Sequence, residues 1–234
     1  GKTVIVTGSQ IPISQTRNDG FDNLLGALII AMHYEIPEVC LFFNTKLFRG
    51  NRSSKVNSSS LKAFDSGNMA PLVTMGIDVN VNWALVRKLP TAPFRLREIQ
   101  PDLCVACLKL FPGMTDDVLR NFLRPPMRGC ILLTYGAGNA PDSRKEFLQV
   151  LREASDNGVI IVNCTQCVQG MVTADYASGL ALYSAGVVSG GDMTGEAALA
   201  KLMYLLSNPE LGDEEVKKLM TINLRGELTT RRQR

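Results

Sequence analysis

Histidine is nearly missing from this sequence, with His33 the single example among 234 residues. One imidazole cannot serve a serine triad without a Gly-x-Ser-x-Gly elbow, and no such elbow occurs. His33 falls near the end of an expected helix and reads as a capping or surface side chain. Long apolar runs are lacking as well, so no membrane span is expected. The chain opens on a strand-like run with no charged leader before a hydrophobic stretch, which reads as a soluble, unexported, cytoplasmic protein. An excess of one charge is the third absence: 25 basic and 22 acidic residues leave a net +3, with the signs interspersed. That excludes a nucleic-acid stripe, and the terminal Arg231-Arg232-Gln233-Arg234 reads as a frayed, solvated end.

What is present is ordinary for a globular chain: 45% hydrophobic residues, 20% charged and a mean hydropathy of +0.06. The six cysteines sit mostly in apolar, strand-like runs, which predicts reduced, packed thiols. Two Cys-x-x-Cys pairs, Cys104 with Cys107 and Cys164 with Cys167, have the spacing of zinc ligands. Cys104 and Cys107 begin a strand-like run, however, where residues three apart point to opposite faces, so no metal is expected.

Residues 1 to about 90 alternate strand and helix. Thr3 to Val6 is an expected strand, and Phe21 to Tyr34 an expected helix with Leu24, Leu25, Leu28 and Met32 at helical spacing. Val39 to Phe43 completes a strand-helix-strand unit of the kind that builds parallel sheets. Short strands are expected near Leu72 to Met75 and Ile77 to Val81. Leu89 to Pro101 is rich in proline and has little periodicity, which places a linker at 89–103 between domains 1–88 and 104–234. Alternation resumes with strands at Val105 to Leu110, Cys130 to Thr134 and Val159 to Val162. Helices are expected at Val118 to Leu123, Ser143 to Ala154, Thr194 to Leu206 and Asp213 to Leu219.

Ligands bind at the carboxyl edge of open parallel sheets, which draws attention to the loop after Phe43. It carries Lys46, Arg49, Arg52 and Lys55 and no acid. A solvated surface loop is the plain explanation, and a lysine turned inward for chemistry is the other. The run Leu47-Phe48-Arg49-Gly50-Asn51-Arg52-Ser53-Ser54-Lys55 resembles the lysine loop of L-asparaginases, particularly the cytoplasmic type I branch. Thr7-Gly8-Ser9-Gln10-Ile11-Pro12 with Asn18-Asp19-Gly20 and Asn23-Leu24-Leu25, Tyr135-Gly136-Ala137-Gly138-Asn139-Ala140-Pro141, and Asn223-Leu224-Arg225-Gly226-Glu227-Leu228 resemble the same family in the same order.

That resemblance implies an α/β fold: the remainder of a larger parallel-sheet N-terminal domain, followed by a smaller, flavodoxin-like C-terminal domain. It implies hydrolysis of L-asparagine to L-aspartate and ammonia through an acyl-enzyme on a threonine, without a cofactor. Lys55 takes the place of the lysine in the family's Thr-Lys-Asp arrangement, and Ser9 that of the residue whose backbone carbonyl meets the substrate amide. Asn139 corresponds to a residue that reaches a neighbouring subunit's site, which implies a homodimer or dimer of dimers. Thr165 and Cys167 match a stretch that lines an allosteric asparagine site in bacterial members. Those members carry an arginine before the Tyr-Gly-x-Gly-Asn loop, where this chain has Leu133 and Thr134. The family's Thr-Gly-Gly-Thr and His-Gly-Thr-Asp-Thr loops do not occur here. The sequence therefore resembles the C-terminal portion of an asparaginase, expected to be inactive alone. Other readings are a non-catalytic fragment for dimerisation or effector binding, a subunit of a tRNA-dependent amidotransferase, and the lysophospholipase activity ascribed to ankyrin-bearing animal relatives.

Overall fold

Strand and helix alternate along two compact units, Gly1–Leu96 and Arg97–Arg234, in the computed structural model. It describes residues 2–91, 96–173 and 177–230; part of the expected linker and the Arg231–Arg234 cluster lie outside them. Among the described residues no helix is long and apolar enough to cross a membrane.

Unit 1 begins with β1 (Val4–Val6), α1 (Gly20–His33) and β2 (Val39–Phe43). It continues through β3 (Lys46–Arg49), a 3-10 turn at Gly50–Arg52, β4 (Ser54–Lys55), β5 (Phe64–Asp65), β6 (Val73–Met75) and β7 (Val79–Val81). The sheet order is β1-β2-β3-β6-β7, with β1 and β2 parallel and the rest antiparallel, while β4 and β5 form a separate ribbon. The stretch after Phe43, expected as a loop, is therefore largely extended. Asn44 and Thr45 both take positive φ, 48° and 63°, the geometry of a two-residue hairpin turn whose twist matches its strands.

The four cations of that stretch do not share one environment either. Arg49 and Arg52 are buried. Arg49 makes a two-pronged ion pair with buried Glu38, at 3.0 Å for the second prong, and donates to the Leu85 carbonyl at 2.8 Å. Glu38 also accepts the Arg87 backbone N–H at 2.9 Å. Arg49 is thus neutralised by inward pairing, while Lys55 is exposed to solvent.

Helix α1 differs from expectation in its facing. Ala27 and Ile30 pack with Ile36, Cys40, Phe42, Leu47, Leu72 and Val73 in the core of unit 1. Phe21, Leu24, Leu25, Leu28 and Met32 form an outer stripe, 46% to 77% exposed. Val4, Val6 and Val39 are also exposed on one face of β1 and β2. The helix is apolar on two sides, so spacing alone did not distinguish the packed side.

Unit 2 contains β8 (Val105–Lys109), α2 (Asp116–Phe122), β9 (Gly129–Thr134), α3 (Lys145–Asp156) and β10 (Ile160–Thr165). Then come α4 (Ala177–Ser184), β11 (Val188–Ser189), α5 (Gly195–Leu206) and α6 (Asp213–Met220). The four strands are all parallel in the order β11-β10-β9-β8. Each strand adds beside its predecessor, and the connecting helices share one face, as crossovers of one hand require. Leu119, Phe147, Leu151 and Leu182 from those helices form one core, while Ala198, Leu202, Val216 and Met220 from α5 and α6 form the other. Covered on both sides, β10 is buried throughout, three residues beyond its expected end.

The C-terminal segment is fastened to this unit by buried charge. Lys201 in α5 pairs with Glu227 at 2.6 Å and donates to the Met220 and Ile222 carbonyls. Asp192 accepts the Thr229 backbone N–H at 2.7 Å. Burial pushes the Glu227 carboxyl up, but Lys201 and the backbone N–H groups of Leu224 and Arg225 outweigh it and hold the group below 4.5. A carboxyl lowered by folding stabilises the native state above its unfolded value, and that contribution is lost as pH falls through the lower folded value. The urea midpoint of the chain is expected to fall as pH drops below 4.5 and through the lower folded value of Glu227, and Glu227→Gln to flatten that slope. An unchanged slope would mean that Glu227 is not held low.

Candidate active site

Two segments meet at the carboxyl ends of β1 and β2. The first is the loop from Thr7 to Asp19, which leaves β1 and is fixed mainly by Asp19. The Asp19 carboxylate accepts the backbone N–H of Gln10 at 3.0 and 3.1 Å and that of Ile11 at 2.9 Å. Burial pushes this carboxyl up, but those N–H donors and the Asn23 amide outweigh it, leaving it below its usual 3.8. Asp19 thus ties down the loop, while Asn18 serves the start of α1 by accepting from Gly20 and Phe21.

Asn23, buried in the first turn of α1, connects the two strand ends. Its amide donates to the Gly8 carbonyl at 2.9 Å and to Asp19 at 3.2 Å, and its oxygen accepts the Asn44 N–H at 3.0 Å. The family resemblance includes Asn23 but assigns it no role. A buried amide inside a helix repeat is visible only once its partners are known.

The second segment carries Lys55. Gly50 lets the chain turn between β3 and β4, since a Cβ there would lie 2.9 Å from the Val39 carbonyl oxygen. Lys55 then pairs across the ribbon with Phe64, and its Nζ lies 5.7 Å from that ring's centre. The Phe64 ring packs on Phe43, the last residue of β2, with centroids 5.1 Å apart. The Lys55 ammonium donates to Gln10 Oε1 at 3.0 Å, which joins the two segments. Ser9, exposed, is the residue before Gln10. Unit 1 therefore brings Ser9 and Lys55 to one region through Gln10, which the resemblance includes without a role. Two cavities of about 300 Å³ flank the Asn44–Thr45 turn, and neither is lined by Ser9 or Lys55.

The other candidate residues lie in unit 2. Tyr135 and Asn139 close a tight turn after β9, exchanging backbone hydrogen bonds of 2.9 and 2.7 Å, with Gly136 and Gly138 at positive φ. A Cβ at Gly138 would lie 2.7 Å from the Val172 side chain. Thr165, at the end of β10, donates its hydroxyl to the Gly136 carbonyl at 2.6 Å and accepts the Cys167 N–H at 3.0 Å. Asn163 accepts from Thr134 at 2.7 Å and donates to the Gly138 carbonyl at 3.4 Å. Gln166 donates to the Leu110 and Leu133 carbonyls at 2.8 and 2.9 Å. Thr165 thereby braces the turn, and Asn139 stands exposed at its end.

All six cysteines are free. Cys40, Cys130 and Cys164 are packed as expected, and burial pushes each thiol up to about 12. Cys107 and Cys167 are exposed, unlike the packed thiols the sequence suggested.

Residues 1–87 match the profile of the asparaginase N-terminal domain, and residues 104–220 that of the glutaminase/asparaginase C-terminal domain. The chain belongs to the asparaginase family. It is 49% identical over 237 residues to L-asparaginase 1 of Escherichia coli K12, covering 98% of this chain and 67% of that protein. It is 50% identical over 230 residues to a mouse protein named 60 kDa lysophospholipase, covering 97% of this chain and 40% of the relative. The crystal structure of L-asparaginase I from Vibrio cholerae superposes with a TM-score of 0.90 at 48% identity, covering 98% of this chain and 68% of that one. This asparaginase-family chain thus spans about two fifths of one relative and about two thirds of the others.

Proposed function

We propose that this chain is part of an L-asparaginase that hydrolyses L-asparagine to L-aspartate and ammonia. The observation that carries the proposal is the placement of Lys55, held at the strand ends against the Ser9–Gln10 loop. A threonine hydroxyl is a weak nucleophile and needs its proton removed as it attacks. In this reading Lys55 organises that transfer from a threonine in a part of the family that the chain does not span. The threonine oxygen bonds to the side-chain carbonyl carbon, the C–N bond breaks, and the nitrogen leaves as ammonia with the proton. Water then attacks the ester, forming L-aspartate and restoring the hydroxyl. The Ser9 carbonyl orients the amide being cleaved.

Asn139, exposed on a turn braced by Thr165, contributes to the site of a second copy, in a homodimer or dimer of dimers. Thr165 braces that turn through its hydroxyl donation to Gly136, and Thr165 with exposed Cys167 is the place where an effector would bind. Free cysteines throughout support a reducing, cytoplasmic setting. A linker at 89–103 between the two domains is part of this reading, supported by the gap between the two matched profiles.

A lipid reaction is the second reading, favoured by the name of the mouse relative. The two are separated with a polypeptide that carries the family's threonine loops upstream of this chain. Ammonia from L-asparagine, without fatty acid from lysophosphatidylcholine, is the expected result; fatty acid without ammonia would overturn it.

A further inference from the structure

We propose that Gln10 is the positioning residue for Lys55, an inference that rests on the reading of Lys55 as the group that organises proton transfer. A lysine on its four-carbon stem samples many rotamers, and one cation–ring contact does not fix where the nitrogen points. Gln10 Oε1 supplies a directional partner at 3.0 Å. The orientation of that amide is itself determined. Its Nε2 donates to the Ser60 carbonyl at 3.1 Å, which leaves the oxygen facing the ammonium. Turned over, the amide would set its own N–H donors against a cation and its oxygen against the Ser60 carbonyl, two repulsive contacts in place of two bonds.

The main chain of Gln10 is equally constrained, because both Asp19 oxygens hold its N–H. Asp19 is bonded in turn to Asn23, which is buried between the two strand ends. A continuous series therefore runs from the helix core through Asn23, Asp19 and Gln10 to the lysine nitrogen. A neutral end to that series has a chemical reason. A carboxylate at position 10 would hold the ammonium as well but would pair with its charge, competing with the acid partner that the reaction assigns to Lys55. An amide holds the nitrogen in place and leaves its charge available.

The test reads the Lys55 side chain directly, by NMR of the 234-residue chain with 13C,15N-labelled lysine. The Lys55 signal is assigned from its disappearance in Lys55→Met. Its Cε order parameter is expected to exceed that of exposed Lys62. Gln10→Leu and Gln10→Met should lower it by about half, to the Lys62 level, while Gln10→Glu keeps it high. Backbone amide spectra show whether each variant keeps its fold. A Lys55 side chain no more ordered than Lys62 in the unsubstituted chain overturns the proposal, as does an ordered Lys55 in folded Gln10→Leu or Gln10→Met. This readout needs no turnover. If Lys55→Met left asparagine hydrolysis intact, the chemical role of Lys55 would fail while the positional result stood.

Discussion

Lys55→Met is expected to cut ammonia release from L-asparagine by about a thousandfold in a polypeptide that includes the threonine loops upstream, within the usual range for a positioned proton-transfer group. The urea midpoint should stay nearly unchanged. Lys55 is exposed, and it meets the Gln10 amide and the Phe64 ring face, so its removal leaves no buried charge unpaired. Methionine keeps an unbranched stem over Phe64 and lacks only the donor. The pairing of lost turnover with kept stability is what identifies a chemical role. Retained turnover would remove Lys55 from the mechanism. A lower midpoint accompanying the lost turnover would make the residue structural.

Arg49→Ala should have the opposite profile, a loss of about 3–5 kcal/mol of stability, because it leaves the Glu38 carboxylate buried and unpaired. That loss approaches the whole stability of an ordinary domain, about 5–15 kcal/mol. The double variant Arg49→Met with Glu38→Gln should recover much of the loss, since the desolvated charge is then gone. Urea unfolding of the single and double variants measures this. A single-variant cost under about 1 kcal/mol would place Arg49 among weak surface pairs. The two cations are six residues apart in one motif, yet one is assigned to chemistry and the other to architecture. Burial and partners make the distinction, and charge alone does not.

The parts of this fold legible in the sequence are those dominated by apolar periodicity. Val39 to Phe43 is a five-residue apolar run between polar segments, and it is β2 from end to end. The parallel strands and helices of unit 2 follow from the same alternation. What was not legible is polar and internal. Lys46 to Lys55 looked like a loop because the run is polar and arginine is rarely buried, whereas only Leu47 and Phe48 interrupt it and both lie in β3. The outer stripe of α1 satisfied the same periodic test as its packed face. Helix α4 and strand β11 gave too short and too weak a pattern to be placed. At the site, strand-end geometry foretold that Ser9 and Lys55 would be near one another. The roles of Gln10, Asn23 and Thr165 emerged only from hydrogen-bond partners distant in sequence.

Ammonia release from L-asparagine, measured on this 234-residue chain alone and again with the family's threonine loops joined upstream, shows whether turnover depends on an upstream threonine. No turnover is expected from the chain alone and clear turnover once the loops are present, with mass spectrometry confirming each polypeptide's length. Turnover by the chain alone, at its 25.5 kDa mass and with no companion polypeptide, would contradict a mechanism that depends on an upstream threonine.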